Sequence, residues 1–421
     1  MPLPTIPSGN VNSGLATGYN VANSLRFNDG SSEYLHFTPS SSGNRRTMTL
    51  SVWFKGTSLA DGTNNILGQY NSSNENNSML LTIESNGRIM VWNYTTSAYT
   101  MNLRTNRLLL DPSAWYHVVV AVDTTQSTDT NRVKIYVNGV QETSFFASTY
   151  PTQNLELFMN ENKAQNIGAQ RFGSTTSSPF DGYMAEFCFI DGQQLAPTEF
   201  GEFNSDSPTI WQPIDVSGLT FGTNGYYLDF EDSSALGNDV SGNNNDFTPV
   251  NFASTDQTTD TCTNNFCTMN HLDQTNTGGS SATMADGNLK WTSSGNASSQ
   301  NHMRATFGLT AGKWYWEIKM SDSNSGRGFN AGVAGSDNDM NQGGSGNLQD
   351  SDPNTIWNNG DSGNAVTKKD GSSVTTGLTA VTENNILQIA LDLDNQKIYF
   401  GVNGTWQNSA DPAAGSNAPA T

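Results

Sequence analysis

Aromatic side chains at strand spacing are the residues of this sequence that first suggest a binding chemistry. Trp92 and Tyr94 share one face of a predicted strand, and Tyr99 follows near the end of that strand. Aromatic rings often form platforms for sugars, although most aromatics at this spacing belong to a core. Trp357 differs because it stands in the Asn- and Gly-rich loop 348–364, where a large ring is either an anchor or a binding group. These four aromatics are the candidate ligand-binding residues.

A second pattern offers oxygen ligands for a metal ion. Asp337, Asp339 and Asn341 place carboxylate and amide oxygens at alternating positions, as a Ca²⁺ loop does. The pattern departs from an EF-hand, since its sixth position is Gln342 and its bidentate position is Leu348. Two interpretations therefore stay open, a looser Ca²⁺ loop or a polar surface loop, and no other cofactor is expected.

The carboxylates do not favour a glycosidase. A retaining mechanism needs two carboxyl groups about 5 Å apart. Glu84, Glu186 and Glu231 each lack a partner at the Glu-x-Asp-x-Glu type of spacing that would provide this on one strand. The stretch 360–363, Gly-Asp-Ser-Gly, has ordinary turn composition and no supporting His motif. The chain is predicted not to be an enzyme, and convergence of carboxylates distant in sequence is the alternative.

The composition excludes several kinds of partner. The 421 residues include 39 acidic and 19 basic ones, for a formal charge of −20 at pH 7. Such a field repels phosphate backbones, so no nucleic-acid partner is expected. No apolar run is long enough for a bilayer, and residues 1–10 lack the features of a secretory signal, so no membrane partner is expected.

The three cysteines favour reduced thiols over a disulfide scaffold.

The strands that must position these residues include a pattern that occurs twice, at 115–139 and 386–404. Each copy is a buried strand, an acidic turn, an alternating strand and an Asn-Gly pair. The residues that share a face are Val133, Ile135 and Val137 in the first copy and Ile398, Phe400 and Val402 in the second. A period of two indicates half-buried strands, and Asn-Gly supplies the positive φ of a tight turn. Residues 28–30, Asn-Asp-Gly, likewise predict a hairpin between 25–27 and 34–37.

An ordered set of strand motifs runs through residues 23–203. The motifs are Leu25-Arg26-Phe27 to Phe37, Ser51-Val52-Trp53-Phe54-Lys55, Trp115-Tyr116-His117-Val118, Tyr136-Val137-Asn138-Gly139, Ile167-Gly168, and the run from Gly182 to Glu199, which ends in a brief helical turn at 195–200. Their order resembles the laminin-G-like jelly roll of the concanavalin A-like lectin and glucanase superfamily. The resemblance implies two facing antiparallel sheets, and domains of this superfamily often bind Ca²⁺ near their ligand edge.

The motifs in the C-terminal part of the sequence differ from those of residues 23–203. They are Lys313 to Met320, with Trp314, Trp316, Ile318 and Met320 on one face, then Phe329 to Gly335, Leu391 to Asp394, and Ile398 to Trp406. Over residues 287–421 they resemble the SPRY domain, a non-catalytic β-sandwich whose loops bind proteins or peptides. SPRY domains continue for several strands beyond this point, so the domain is predicted to be incomplete at its C-terminus.

Together these features predict an all-β chain with two antiparallel β-sandwich (jelly-roll) domains in tandem. The predicted divisions are an N-terminal arm at 1–22, a laminin-G-like domain at 23–203, a polar connector at 204–286 and a SPRY-like domain at 287–421. The arm has no strand pattern and is interpreted either as a disordered tail or as a segment that docks on another subunit or particle.

The stretch from Leu228 to Asn243 resembles a segment that recurs in tail-fibre and other virion proteins of marine bacteriophages. We therefore expect a virion component, a tail fibre or head appendage, that binds host-surface glycan or protein through sandwich-edge loops and other virion proteins through its arm. It would be assembled in the host cytoplasm and released by lysis. The alternatives are a purely architectural decoration protein and a carbohydrate-active enzyme. A homo-oligomer is left open, since no heptad segment enforces one.

Overall fold

The computed structural model describes residues 5–6, 18–57, 62–70, 76–172, 175–276, 282–293, 301–321, 330–335, 355–359, 365–369 and 372–418. Over these ranges the ordered elements are β-strands and five 3-10 turns, so the all-β prediction is confirmed. No helix in them is long and apolar enough to cross a membrane. Cys188 is buried, Cys262 is partly buried and Cys267 is exposed.

The strands are numbered in chain order. They are β1 (Thr5–Ile6), β2 (Ser24–Phe27), β3 (Tyr34–Phe37), β4 (Thr47–Gly56), β5 (Asn64–Tyr70), β6 (Ser78–Ile83), β7 (Arg88–Tyr94), β8 (Tyr99–Leu108), β9 (Tyr116–Asp123), β10 (Val133–Val137), β11 (Val140–Gln141), β12 (Phe145–Thr149), β13 (Gln165–Ile167), β14 (Gln170–Phe172), β15 (Thr175–Ser177), β16 (Gly182–Asp191), β17 (Gly201–Phe203), β18 (Trp211–Pro213), β19 (Tyr226–Leu228), β20 (Thr248–Val250), β21 (Gln257–Thr258), β22 (Met269–Asn276), β23 (Ala282–Ala285), β24 (Lys290–Ser293), β25 (Asn301–Ala305), β26 (Gly308–Leu309), β27 (Lys313–Lys319), β28 (Asn330–Ala334), β29 (Thr355–Asn359), β30 (Ala365–Lys369), β31 (Ser372–Leu378), β32 (Ile386–Asp392), β33 (Lys397–Val402) and β34 (Thr405–Trp406). The 3-10 turns are Asp29–Ser31, Asp129–Asn131, Pro197–Glu199, Ser254–Asp256 and Gln407–Ser409. The third of these turns confirms the helical turn predicted near residue 197.

The chain divides into two compact units. The N-terminal unit comprises Val11–His271 and Met284–Trp291, and the C-terminal unit comprises Met1–Asn10, Leu272–Thr283 and Thr292–Thr421. Segment 284–291 belongs to the N-terminal unit because Tyr183 donates a hydrogen bond to the Gly287 carbonyl and Asn288 donates one to the Thr57 carbonyl.

Two eight-stranded sheets build the N-terminal unit. The first has the order β11-β10-β9-β4-β16-β2-β21 with β19 also paired to β16, and the second has the order β12-β8-β7-β6-β5-β13-β3-β20. Apolar side chains from both sheets form one core, which includes Phe27, Val52 and Phe54 from the first and Leu35 and Val91 from the second. Burying such side chains supplies the main driving force for this sandwich. The two facing sheets expected from the sequence are present.

The segment interpreted as a polar connector contributes strands to both sheets. β19 pairs with β16, β20 with β3, and β21 with β2. Its apolar residues also cover the outer face of the first sheet, where Phe221 and Tyr227 pack beside Val119 and Trp211 packs beside Trp53. Over these residues the segment is part of the N-terminal unit.

The hairpin predicted at 28–30 is wrong, although its strands and its turn exist. β2 pairs with β16 and β21 in the first sheet, whereas β3 pairs with β13 and β20 in the second. The turn at Asp29–Ser31 therefore carries the chain between sheets. Alternating residues specify a strand, but they do not specify its partner.

The two Asn-Gly turns have the conformation that the sequence predicts. Asn138 and Gly139 have φ values of 48° and 77°, and Asn403 and Gly404 have φ values of 50° and 84°. The predicted faces are confirmed too, because Val133, Ile135 and Val137 are all buried in the core.

The C-terminal unit contains two four-stranded sheets, with the orders β27-β32-β33-β34 and β28-β29-β30-β31. Its core is formed by the alternating residues of β32 and β33 together with the predicted face of the strand at 313–320. The members of that face are Trp314, Trp316, Ile318 and Met320. Ala331 and Val333 of the other sheet pack on the same core, as in a sandwich. The resemblance of this unit to the SPRY domain stays a prediction.

We expect Gly139→Ala to destabilise the N-terminal unit by roughly 2–4 kcal/mol in thermal or denaturant unfolding. Gly139 has a positive φ, and an added Cβ would lie 2.3 Å from the Trp211 ring. Gly242→Ala is the matched control, because Gly242 has φ +90° with nothing within 4 Å of the added Cβ. It should cost only about 1 kcal/mol. Equal losses in the two variants would contradict the close contact with Trp211.

Candidate functional site

Three of the four predicted aromatics meet at one end of the second sheet, in the β7–β8 hairpin. The ring centroids of Trp92 and Tyr94 are 6.3 Å apart, those of Trp92 and Tyr99 are 5.8 Å apart, and those of Tyr94 and Tyr99 are 5.0 Å apart. All three pairs meet edge to face, the arrangement that the charge distribution of aromatic rings favours. We call these three residues the aromatic cluster.

Strand alternation places the cluster on the outer face of the sheet. Ile89 and Val91 point into the core, so Trp92 and Met90 point away from it. An irregularity between Asn93 and Tyr94 then sets Tyr94 opposite Tyr99 on β8. The hairpin is held by the Asn93 side chain, which donates to the Thr100 hydroxyl at 2.7 Å and accepts from the Phe158 amide at 2.8 Å.

The three rings differ in what they can offer a ligand. Trp92 is 8% exposed, Tyr94 is half-buried and Tyr99 is 43% exposed. Trp92 packs with Tyr70 and Leu80 beneath the surface, so it supports the cluster. Tyr99 is the ring that solvent, or a ligand, can reach.

Polar groups adjoin these rings on β8. Asn102 lies directly opposite Trp92, and its side-chain oxygen accepts a hydrogen bond of 3.3 Å from Arg104. The Arg104 guanidinium is also 3.3 Å from the Glu84 carboxylate. Asn102, Arg104 and Glu84 are all partly exposed. A ring with hydrogen-bonding groups beside it suits a ligand that has an apolar face and a hydroxyl-bearing edge.

The fourth predicted aromatic and the predicted Ca²⁺ ligands belong to the last third of the sequence. Trp357 lies in β29, opposite Gly332 and Lys368, and so in a strand of the C-terminal unit where the sequence suggested a loop. The predicted Ca²⁺ ligands Asp337, Asp339 and Asn341 lie outside the described residues. Over the ranges that the structure describes, no group of three or more His, Cys, Asp or Glu side chains could hold a metal ion.

A buried carboxylate that sequence reasoning treated as isolated lies at the centre of the first sheet. Glu186 has a φ of +49° at a bulge in β16, and its carboxylate accepts hydrogen bonds from Tyr19 at 2.9 Å and Tyr227 at 2.7 Å. Burial raises the pKa of Glu186 to about 7, and the charges of Asp229 and Glu231 add to the shift. The charges of Asp229 and Glu231 thus act on Glu186 although neither residue is paired with it in sequence. No local spacing could have revealed this.

Tyr19 belongs to the segment predicted as an N-terminal arm. Its hydroxyl lies 3.2 Å from that of Tyr227, and the nearby Val21 amide donates to the Thr263 hydroxyl at 3.1 Å. Residues 19 and 21 are thus packed on the N-terminal unit of their own chain. The predicted docking of the arm on other proteins is a separate matter and stays a prediction.

A serine–histidine contact in the first sheet is structural. His117 is buried between Trp53 and Trp211, whose ring centroids lie 4.7 and 6.0 Å from its own. Trp211 donates to Nδ1 at 2.9 Å, so in the neutral ring Nε2 carries the proton and donates to the Ser51 hydroxyl at 2.8 Å. Burial lowers the pKa of His117 to about 3. A ring nitrogen that donates to Ser51 does not act as its base.

Comparison with known proteins identifies the fold of the N-terminal unit. Residues 29–197 match the family model described as the concanavalin A-like lectin/glucanases superfamily, so the chain contains a laminin-G-like domain of that superfamily. The predicted resemblance of this part of the chain is confirmed. No curated protein matches the chain.

Comparison with solved structures finds similar chains at low identity. A heptameric SAP-like pentraxin from Limulus polyphemus is 15% identical, with 46% of this chain and 76% of that one covered and a TM-score of 0.29. Mouse laminin α1 domains LG4-5 are 11% identical, with 100% and 82% covered and a TM-score of 0.33. The CBM40 of a Ruminococcus gnavus IT-sialidase, bound to α2,3-sialyllactose, is 14% identical, with 39% and 86% covered and a TM-score of 0.26. With identities and TM-scores this low, none of these structures supports an inference about the function of this chain.

We expect the N-terminal unit to lose stability as the pH rises from about 4.5 to 7, partly through Glu186. Its folded pKa of about 7 is raised above the ordinary value of 4.5, so its stabilising contribution is complete below the ordinary value and disappears as the pH passes the folded one. Glu186→Gln keeps an acceptor for both tyrosines and should reduce this loss by roughly 2–3 kcal/mol. Burial also raises the pKa of Glu33 and Asp181 to about 7, so part of the pH dependence should remain.

The measurement is urea unfolding at several pH values between 4 and 8. Glu156→Gln, which removes a half-exposed surface carboxylate, is the charge control. If Glu186→Gln and Glu156→Gln change the pH dependence equally, the carboxyl group of Glu186 does not cause the loss of stability between pH 4.5 and 7.

Proposed function

We propose that this protein is a non-catalytic glycan-binding protein and that the aromatic cluster is its contact surface. The observation that carries the proposal is the exposed Tyr99 ring, supported by Tyr94 and the buried Trp92. Asn102, which is hydrogen-bonded to Arg104, lies opposite Trp92 on the neighbouring strand. A sugar ring presents a face of C–H groups and an edge of hydroxyls, and the cluster offers a partner to each. The lectins named in the description of the matched superfamily support the same class of ligand.

The buried carboxylates support binding without cleavage. Both hydrogen bonds to Glu186 come from tyrosine hydroxyls, and the residue is 6% exposed, so a glycosidic oxygen has little access to it. Glu84, which directly follows β6, forms an ion pair with Arg104. A glycosidase needs one accessible carboxylic acid and one carboxylate on either side of the bond to be broken. The glucanases of the same superfamily make cleavage the outcome that any binding test must examine.

We further propose that the protein works as a bacteriophage virion component, as a tail fibre or head appendage that contacts the host surface. The support is the phage-like stretch Leu228 to Asn243, which begins at the end of β19 and so belongs to the N-terminal unit itself. In this proposal the arm 1–22 contacts other virion proteins. A decoration protein with a purely architectural role is the alternative. Immunogold labelling of purified particles would test this location, and the absence of label would contradict it.

The binding proposal predicts that Tyr99→Ala weakens binding to host-surface polysaccharide about 10-fold, because the exposed face of the platform is removed. Tyr315→Ala is the matched control, since Tyr315 is a similarly exposed tyrosine (53%) of the C-terminal unit, and it should bind as the unchanged protein does. Binding would be measured by calorimetry on extracted polysaccharide, with and without EDTA.

Each outcome of this experiment has a definite meaning. A loss of binding in EDTA would support the predicted Ca²⁺ loop at 337–341, and binding unchanged by EDTA would count against it. Equal binding by the two variants would contradict the aromatic cluster as the contact surface. Shortened polymer would overturn the non-catalytic assignment, and no binding by the unchanged protein would favour the architectural alternative.

A further inference from the structure

A lysine that is completely buried near one end of β4 is the least expected side chain of the N-terminal unit. Lys55 has 0% exposure, and its amine lies 2.5 Å from the Asp260 carboxylate and 3.0 Å from the side-chain oxygen of Asn265. It also donates to the Phe266 carbonyl at 3.2 Å. Asp260 is 3% exposed. Buried charges usually occur in pairs, but here the amine also contacts a carboxamide.

Aromatic rings close this site against water. The Lys55 amine lies 5.0 Å from the ring centroid of Tyr183 and 5.9 Å from that of Trp115. Tyr183 is directly opposite Lys55 in the pairing of β16 with β4. Burial lowers the pKa of Lys55, and the negative charge of Asp260 partly opposes that shift. A desolvated lysine that can lose its proton is a nucleophile.

The two acceptors of the lysine are held in different ways. One oxygen of Asp260 accepts hydrogen bonds from the Trp115 indole and the Phe266 amide, both at 3.2 Å, and the other faces the amine. Asn265 directs its side-chain oxygen at the amine, while its side-chain nitrogen donates to the Ser113 carbonyl at 2.8 Å. The electrophilic carbon of Asn265 is thus one bond from an atom that touches the Lys55 amine, and the Asp260 carboxylate contacts the same amine.

We propose that Lys55 and Asn265 form an isopeptide bond in the folded protein, with Asp260 as the proton carrier. Asp260 takes a proton from the lysine ammonium, and the free amine attacks Cγ of Asn265. The bond between Cγ and the side-chain nitrogen breaks. The departing nitrogen receives the proton held by Asp260 and the second proton that the attacking nitrogen releases, and it leaves as ammonium. One C–N bond forms and one breaks, a lysine ammonium and a carboxamide become a secondary amide and an ammonium ion, and no oxidant or other reactant is needed.

The bond would join β4 to a loop 210 residues further along the chain. That loop lies directly before β22, the strand in which the chain passes from the N-terminal to the C-terminal unit. A cross-link that closes so long a loop removes much of the freedom of the unfolded chain. It would also prevent the loop from being pulled off the sheet by force applied through the C-terminal unit.

The test is the intact mass of the purified full chain under denaturing conditions. We expect a mass about 17 Da below that of the sequence, the loss of one ammonia, and a digest in which the peptides of Lys55 and Asn265 are joined. The full sequence mass would overturn the proposal and leave a buried ion pair. A loss of about 18 Da, with the link at Asp260, would overturn the choice of Asn265 as the acceptor.

Substitutions sharpen the test. Asn265→Ala and Asp260→Ala should both show their full sequence masses. Arg26→Met is the matched control, because it breaks the ion pair of Arg26 with Asp256 in the same unit and should keep the mass loss. Persistence of the loss in Asn265→Ala would overturn the assignment. If a variant fails to fold, the intact mass of the unsubstituted chain still shows whether the isopeptide bond exists.

Discussion

The hydrogen-bond ladder of β16 is the constraint on which the rest of the N-terminal unit depends. One edge of this strand pairs with β4 along its length, and the other is shared by β2 near Gly182 and β19 near Phe189. The bulge at Glu186 separates these two partners. Because a bulge adds a residue and increases the local twist, one strand can guide two different segments. The segment from 204 onwards thereby becomes part of the sheet.

This arrangement explains why polar groups are buried where a sandwich normally faces water. The outer face of the first sheet is covered by Trp211, Phe221 and the loops around Asp260, so side chains that would otherwise be solvated lose their water. Each needs a partner from the covering segment. His117 is hydrogen-bonded to Trp211, and Lys55 is hydrogen-bonded to Asp260.

The two faces of the unit consequently have different chemistry. The covered face excludes water and orders an amine, a carboxylate and a carboxamide, which suits a reaction within the protein itself. The outer face of the second sheet keeps Tyr99 in solvent above a buried tryptophan, which suits a reversible ligand. The proposed binding ring on one sheet and the proposed covalent tie on the other would together suit a protein that holds a surface against mechanical load.

The sequence by itself determined the local features. Alternation predicted the buried faces of β10 and β33, Asn138-Gly139 predicted its turn, and the spacing of Trp92 and Tyr94 predicted a shared face, because these depend on neighbouring residues only. Tertiary structure alone decided which strands pair. It separated the predicted hairpin at 28–30 between two sheets, and it brought Asn265 to Lys55 across 210 residues. Pairing depends on the burial and hydrogen bonding available to the whole chain, and no local pattern encodes that competition.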